Sequence, residues 1–300
     1  MAGDWLQIAP AKGEVAIAVV ASGSVPTAQV ELLQRGFEAA AVPARVEGLD
    51  LNANEFDGCV RHLQRIGFRG VFAMGLHRAS AGHIGEKFYM NKNSMGVANG
   101  LLLTNDRIFA QNTEIPSIST LISHLEPSKA LVLGSGNAAR SVLMALFDAG
   151  WKVKVWNRSA LKVRPLQTLF ARYGTIDLAT QPDPTDCRLI VNCTPLGAKA
   201  GEEPPLLWRH VQPRTWFLDL VQRRVPTEFL RSASMRGLKT TDGREVAVEA
   251  AAEVIDWWLE RRIDREAMRL SVGLRPRQLG VNGTQTLGSQ PSHVPDHGQD

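Results

Sequence analysis

The chain has 300 residues, 34 of them basic and 30 acidic, for a formal net charge of +4, and 44% of its residues are hydrophobic. That length passes the ~250–300 residues at which a single hydrophobic core stops growing, so two domains are expected, and the balanced composition excludes wholesale disorder. The basic residues are dispersed, with only short doublets such as Arg223-Arg224 and Arg261-Arg262, which excludes a nucleic-acid footprint and leaves a solvated surface mildly suited to an anionic small molecule.

In chain order, residues 1–13 lack the basic start and long apolar run of a secretory leader. Nowhere does an apolar run approach the ~20 residues that cross a bilayer, so a soluble protein with no membrane partner is expected. Glu14 to Val20 reads as a β-branched strand, Ser22 to Pro26 as a turn, and Thr27 to Arg35 as a helix with Thr27 at its N-cap. A strand over Val42 to Val46, a helix over Asn54 to Ile66 and a strand over Gly70 to Met74 complete a βαβαβ rhythm, which predicts a first α/β domain with a largely parallel sheet. His83 to Ser94 is helix-poor. Two short strands, Gly100 to Thr104 and Arg107 to Ala110, are joined by the turn pair Asn105-Asp106, and Ile118 to Leu125 reads as a helix that leads into the linker Glu126-Pro127-Ser128.

A second series opens with the strand Ala130 to Leu133 and continues through a helix over Ala138 to Ala149, a strand over Lys152 to Trp156 and a helix over Ala160 to Tyr173. Strands over Leu189 to Asn192 and Trp216 to Leu220 and a helix over Thr227 to Arg236 follow. Asp242 to Arg262 is a long alanine-rich helix that is expected to cross back to the first domain. From Leu274 onward Gly, Pro, Ser, Gln and His dominate, and a disordered tail is expected over residues 274–300. The expected organisation is therefore α/β, with an N-terminal domain over 1–126 plus 245–272 and a second domain over 127–244. Cys59, Cys187 and Cys193 show neither a CxxC pair nor metal-ligand spacing, which points to a reducing, cytoplasmic setting with no disulfide and no metal.

The informative segment is Ala130 to Ala139: an apolar strand, the GxGxxA turn Gly134-Ser135-Gly136-Asn137-Ala138-Ala139, and the start of an apolar-striped helix, with another strand after Gly150. That context makes the turn a dinucleotide fingerprint of a Rossmann domain. Gly134 permits the tight turn, Gly136 lets the backbone approach a pyrophosphate, and the helix start at Asn137 and Ala138 offers free N–H groups and a positive partial charge. At the end of the next strand an acidic residue would accept from a ribose 2′-OH, but this chain has Asn157-Arg158-Ser159, with Lys162 one turn on. Those side chains suit a 2′-phosphate, so the expected cofactor is NADP and not NAD. Asn192, Thr194 and Pro195, in Val191 to Gly197, fall at a strand end where a nicotinamide would lie; taken alone they read only as a strand followed by a Pro-Gly turn.

The order of elements, with GSGNAA at 134–139, NRS at 157–159 and NCTPLG at 192–197, resembles the shikimate dehydrogenase family, including its divergent shikimate-dehydrogenase-like members, from about Ser22 to Trp258. The resemblance implies an N-terminal α/β substrate domain, an NADP-binding Rossmann domain, and a C-terminal helix returning to the first domain. It also implies NADP-dependent interconversion of 3-dehydroshikimate and shikimate, or of a related anionic cyclic hydroxy acid, and leaves a homodimer open. The family's substrate-binding serine pair matches Ser22 and Ser24, although Val25 intervenes before Pro26. Its Asn-Val-Thr-x-Pro-x-Lys segment aligns with Phe72 to Arg78, which keeps none of those four residues and puts Arg78 at the lysine. Asn99 matches a substrate-binding asparagine, and Asn112-Thr113-Glu114 matches Asn-Thr-Asp with Glu114 at the catalytic aspartate. Ala250, with Glu249 beside it, stands where the returning helix has a substrate-binding glutamine, and Gln222 where a tyrosine is often found.

On this reading Arg78 and Glu114 straddle the reacting hydroxyl while Ser22, Ser24 and Asn99 hold the rest of the substrate. Arginine stays protonated above pH ~12 and is a poor proton carrier, so it orients or polarises. His77 has a more suitable pKa, but in a strand it would face away from Arg78 and reads as a loop or core histidine. Two rivals stay open: a non-catalytic NADP-binding sensor or regulatory protein derived from the family, and another reductase or methylene-pterin dehydrogenase with the same architecture.

Overall fold

A computed structural model of the chain describes residues 8–85, 87–88 and 95–275, so the tail expected over 274–300 lies, beyond position 275, outside the described residues. The first half contains β1 (Val15–Ala21), α1 (Thr27–Ala39), β2 (Ala44–Asp50), α2 (Phe56–Arg65) and β3 (Gly70–Ala73), followed by α3 (His77–Ile84), β4 (Lys87–Phe88), β5 (Gly100–Leu103), β6 (Ile108–Gln111) and α4 (Glu114–Ile122). Its sheet runs β2-β1-β3-β5-β6-β4. β1 carries five consecutive buried residues, as a strand covered on both faces must, and pairs in parallel with β2 and β3. In α2 the apolar residues Phe56, Cys59, Val60 and Leu63 recur at helical spacing and form its buried face.

The second half contains β7 (Lys129–Leu133), α5 (Asn137–Asp148), β8 (Lys152–Trp156), α6 (Arg164–Phe170), β9 (Ile176–Leu178), β10 (Leu189–Asn192), β11 (Trp216–Asp219), α7 (Glu228–Met235) and β12 (Lys239–Thr241). All pairings in its sheet, β12-β11-β10-β7-β8-β9, are parallel. This is the doubly wound order, in which the chain reverses direction across the sheet between β7 and β10, and the crevice beyond the strand ends there is where such sheets bind ligands. Two last helices, α8 (Gly243–Leu259) and α9 (Arg265–Ser271), complete the described chain.

The first sheet is largely parallel as expected, with β5 alone running against its neighbours β3 and β6. The expectation of a strand-like His77 fails: α3 begins at His77 and ends at Ile84, at the edge of the stretch expected to be helix-poor. Its sequence, with Gly82 and Ser80 near the middle, carries no strong apolar period. α4 begins at Glu114, four residues before the expected start, because Pro116 sits in its first turn, where no N–H is required. The helix expected over Ala160 to Tyr173 is a 3-10 turn, Ala160–Lys162, followed by the shorter α6, with Pro165 in its first turn. Thr27 does not cap α1, whereas Thr227 and Asp242 do cap α7 and α8 by accepting from Leu230 N and Arg244 N. The short elements β4, β9, β12 and α9 have no counterpart in the sequence reading.

α8 leaves the second sheet at Val246 and then packs across the first. Ala247, Val248, Ala251, Val254, Ile255 and Trp258 share one cluster with Ile17 and Val19 of β1 and Leu32, Leu33 and Phe37 of α1. Trp258 closes this contact. It stacks on Phe37 at 6.3 Å and 7°, and its Nε1–H donates to the Leu101 carbonyl at 2.9 Å. Trp258→Ala is expected to lower the unfolding free energy by about 3–5 kcal/mol in urea titrations, and Trp258→Phe, which keeps the stack but loses the hydrogen bond, by about 1–2 kcal/mol.

Candidate functional site

The turn from β7 into α5 is built for close approach. Gly134 adopts φ +107°, and a Cβ there would meet the Cys193 backbone and Thr194 at 3.1 Å, so a side chain would press the turn against the loop after β10. At Gly136 a Cβ would meet nothing within 4 Å: open space lies over the backbone just where α5 begins. No side chain caps the helix, and its first turn carries no acidic residue, so the positive end of its dipole is unopposed. Ser135, Asn137 and Ala138 lie beside this space, Ser135 and Ala138 half-buried. At the end of β8 the Asn157 carboxamide donates to the Ser159 carbonyl at 2.9 Å and shapes the turn, while Arg158 and Lys162 have no carboxylate partner among the described residues. These residues fit an anionic dinucleotide with an extra phosphate.

Asn192 was expected to face a ligand, yet it is fully buried and all its bonds are internal. Its carboxamide accepts from Thr194 N and Oγ1 at 3.0 and 2.7 Å and donates to the Leu196 carbonyl and to Asp219 at 3.0 and 2.9 Å. Asn192 therefore shapes the loop that presents Thr194 and Pro195. Asp219, absent from the sequence reading, also accepts from Thr227 Oγ1 at 2.6 Å and Val221 N at 3.0 Å. Burial outweighs those donors and pushes its carboxyl up to about 6. Cys193 is pushed well above the ordinary thiol range by burial first and then by Glu114 and Asp219, which leaves it a protonated bystander and not a nucleophile.

On the other wall, Arg78 in α3 and Glu114 at the start of α4 come together as expected, with Nη2 2.6 Å from Oε2. The side chains are 7% and 21% exposed, so the pair is largely withdrawn from water. The contact is poorly directed for hydrogen bonding, and both Arg78 Nε and Glu114 Oε2 lack hydrogen-bond partners. Arg78 Nη2 also donates to Ser141 Oγ of α5 at 2.9 Å, and Asn112 Nδ2 donates to the same oxygen at 3.0 Å. Two further bonds join α5 to loops of the first sheet, from Asn137 Nδ2 to the Gly75 carbonyl and from Arg140 Nη1 to the Met95 carbonyl.

A cavity of about 190 Å³ opens between the sheets at this pair. Asn99, Gln29 and Gln222 also line it, with Ala138 and Leu220 from the nucleotide half and Val246, Ala247 and Ala250 from α8. Asn99 is buried, and Thr113 takes both ends of its carboxamide, with Nδ2 donating to Oγ1 at 2.8 Å and Oδ1 accepting from N at 2.7 Å. Ser22 and Ser24 lie on an exposed turn and do not line the cavity. His77 is a core histidine: its Nε2 is 3.0 Å from the Leu51 carbonyl and its ring stacks on Phe56. Glu249 turns from the cavity to Arg265. Sequence reasoning missed Gln29, Ser141 and Asp219, and gave Asn112 no role of its own. Gln29 did leave a signal, as a polar residue on the stripe shared with Leu32, Leu33, Gly36 and Phe37.

No family model matches the chain. Among curated proteins, it is 33% identical to the shikimate dehydrogenase (NADP(+)) of Jannaschia sp. (strain CCS1) over 221 residues, 70% of this chain and 79% of that one. Among solved structures, shikimate 5-dehydrogenase from Thermus thermophilus in complex with NADP(H) and shikimate superposes with a TM-score of 0.77 at 25% identity, over 86% of this chain and 98% of that one. The ligand-free 5-ketofructose reductase of Gluconobacter sp. strain CHM43 shares the fold, with a TM-score of 0.78 at 20% identity over 86% of this chain and 98% of that one.

Because the Asp219 carboxyl lies near 6 in the folded chain against 3.8 when unperturbed, the folded state holds its proton over that interval, and stability is lost as pH rises from about 4 to about 6. Asp219→Asn is expected to remove that loss, a difference on the order of 2–3 kcal/mol between wild type and variant in urea titrations across the interval. Ser141→Ala, by leaving the Arg78 and Asn112 donors buried without their acceptor, is expected to cost about 1–3 kcal/mol of stability in the same titrations.

Proposed function

The chain belongs to the shikimate dehydrogenase family, and on that premise we propose that it is an NADP-dependent oxidoreductase interconverting a secondary alcohol and its ketone in the cavity between the two sheets. The observation that carries this reading is the Arg78–Glu114 pair in a cavity whose opposite wall includes Ala138, in the first turn of the nucleotide helix. NADP supplies the hydride acceptor, or in the reverse direction the hydride donor. Gly134 to Ala138 would take its pyrophosphate, Arg158, Ser159 and Lys162 its 2′-phosphate, and Thr194 and Pro195 the nicotinamide end.

In the oxidation, the hydroxyl proton passes to Glu114 as the C–H bond of the same carbon gives up its hydride; in the reduction, Glu114 returns the proton to the carbonyl oxygen. Arg78 keeps its charge throughout. Its guanidinium donates to the substrate oxygen and stabilises the negative charge that develops there. A purely sensory protein has no use for a buried cation and carboxylate with unspent hydrogen-bonding capacity, since withdrawing such a pair from water costs free energy. The substrate class is a small cyclic hydroxy acid of the kind bound by the Thermus enzyme, with Asn99 facing it. Residues 1–126 with 245–272 would form the substrate domain and 127–244 the nucleotide domain. Three free cysteines, two of them buried, support a cytoplasmic setting. No helix among the described residues is long and apolar enough to cross a membrane.

The direct test is NADP reduction followed by absorbance with shikimate and quinate at high enzyme concentration; turnover is expected, and a protein that neither binds NADP nor reduces it would sink the reading. Glu114→Gln is expected to lower kcat by about 100-fold or more while NADP affinity stays unchanged. Joint substitution Arg158→Ala with Lys162→Ala is expected to raise KM for NADP by about 10- to 100-fold and to leave KM for NAD nearly where it was.

A further inference from the structure

Gln29 lies in the first turn of α1, on the face that packs against α8. That face continues through Leu32, Leu33, Gly36 and Phe37, all buried, and a glutamine among them is out of pattern. It is 4% exposed, and its Nε2 has no hydrogen-bond partner. A buried amide donor without a partner is destabilising, and cores retain one only where something repays it. Gln29 lines the same cavity as Arg78, Glu114 and Asn99.

The other polar groups of that cavity already have protein partners, serve the reacting carbon or sit at its edge. Thr113 holds both ends of Asn99, Arg78 is paired with Glu114, and Gln222 is exposed. α8 contributes Val246, Ala247 and Ala250, which bring no side-chain hydrogen-bonding group, and the Ala250 carbonyl already accepts from Thr113 Oγ1 at 2.8 Å.

We propose that Gln29 is a specificity-determining residue, its carboxamide binding a hydroxyl of the substrate remote from the carbon that reacts at Arg78 and Glu114. This rests on the alcohol–ketone interconversion assigned to that pair. A carboxamide presents both a donor and an acceptor, the same complement as a hydroxyl, whereas a carboxylate presents acceptors alone. The one cation among the described lining residues is already neutralised by Glu114, so the Gln29 end of the cavity selects a neutral hydroxyl.

The test pairs Gln29→Leu, close in volume, and Gln29→Met with shikimate and its analogues lacking single ring hydroxyls remote from the reacting carbon. Thermal unfolding and NADP binding are measured alongside. Both variants should fold at least as stably as wild type, because the unpaired amide is gone, and bind NADP unchanged. Their kcat/KM for shikimate should fall by about 10- to 100-fold, and for one analogue lacking a remote hydroxyl the fall should vanish, since residue and hydroxyl then account for the same interaction. Variants that match wild type on shikimate, or that lose equally on shikimate and every analogue, overturn the proposal. A wild type that binds NADP but turns over neither shikimate nor quinate also overturns it, while one that fails to bind NADP overturns the oxidoreductase reading and the proposal with it.

Discussion

The contact on which the site depends is the hydrogen bond from Arg78 to Ser141. It joins a cation of the first half, on α3, to the helix whose free N-terminus faces the glycine turn. Hydride transfer tolerates little error in the distance between substrate carbon and nicotinamide, and a misplacement of ~1 Å can cost ~100-fold in rate. In this chain the arginine proposed to address the substrate oxygen and the helix that would address the cofactor phosphates share one side-chain bond, supported by Asn112, Asn137 and Arg140. Ser141 is buried inside α5, so this seam is part of the core and not an addition to its surface.

Arg78 and Glu114 are both longer than the lysine and aspartate found at those positions in the pattern the chain resembles. The two longer side chains meet each other at 2.6 Å, which fills the added reach from both sides. Their interaction is Coulombic more than a directed hydrogen bond, and this leaves donor and acceptor capacity for a third group between them. In the proposed reaction, proton transfer would fall to the carboxylate and charge stabilisation to the guanidinium.

The walls of the cavity come from three directions, and α8 decides its shape. Trp258 locks the far end of that helix onto β5, and the alanines at 247, 251 and 252 allow close packing on α1 and the central strands. Thr113 then bridges Asn99 to the Ala250 carbonyl, so the helix, the end of β6 and the asparagine hold a fixed spacing. On the nucleotide side the fully buried Asp219 braces Asn192 and Thr227, which fixes the loop carrying Thr194 beside Gly134.

The sequence by itself determined the central strands and the glycine turn of the doubly wound half, but not its β9, β12 or the length of α6. The strands over Lys152 to Trp156 and Leu189 to Asn192 coincide with β8 and β10, and the turn from Gly134 into α5 stands where its glycines require it. Such features are local: apolar runs, glycine at a left-handed position and a helix start lie within a few residues of one another. Arg78 and Glu114 were also legible, through the resemblance. What only the tertiary structure decided is long-range. It set Ser22 and Ser24 outside the cavity, turned His77 into the core at the start of a helix, and absorbed Asn192 into a brace. It also brought Gln29 to the cavity that Ala250 lines, although 221 positions separate them in the chain. Whether a polar side chain meets a ligand or a neighbour depends on which elements pack against it, and that is settled by the burial of whole faces and not by the residues beside it in sequence.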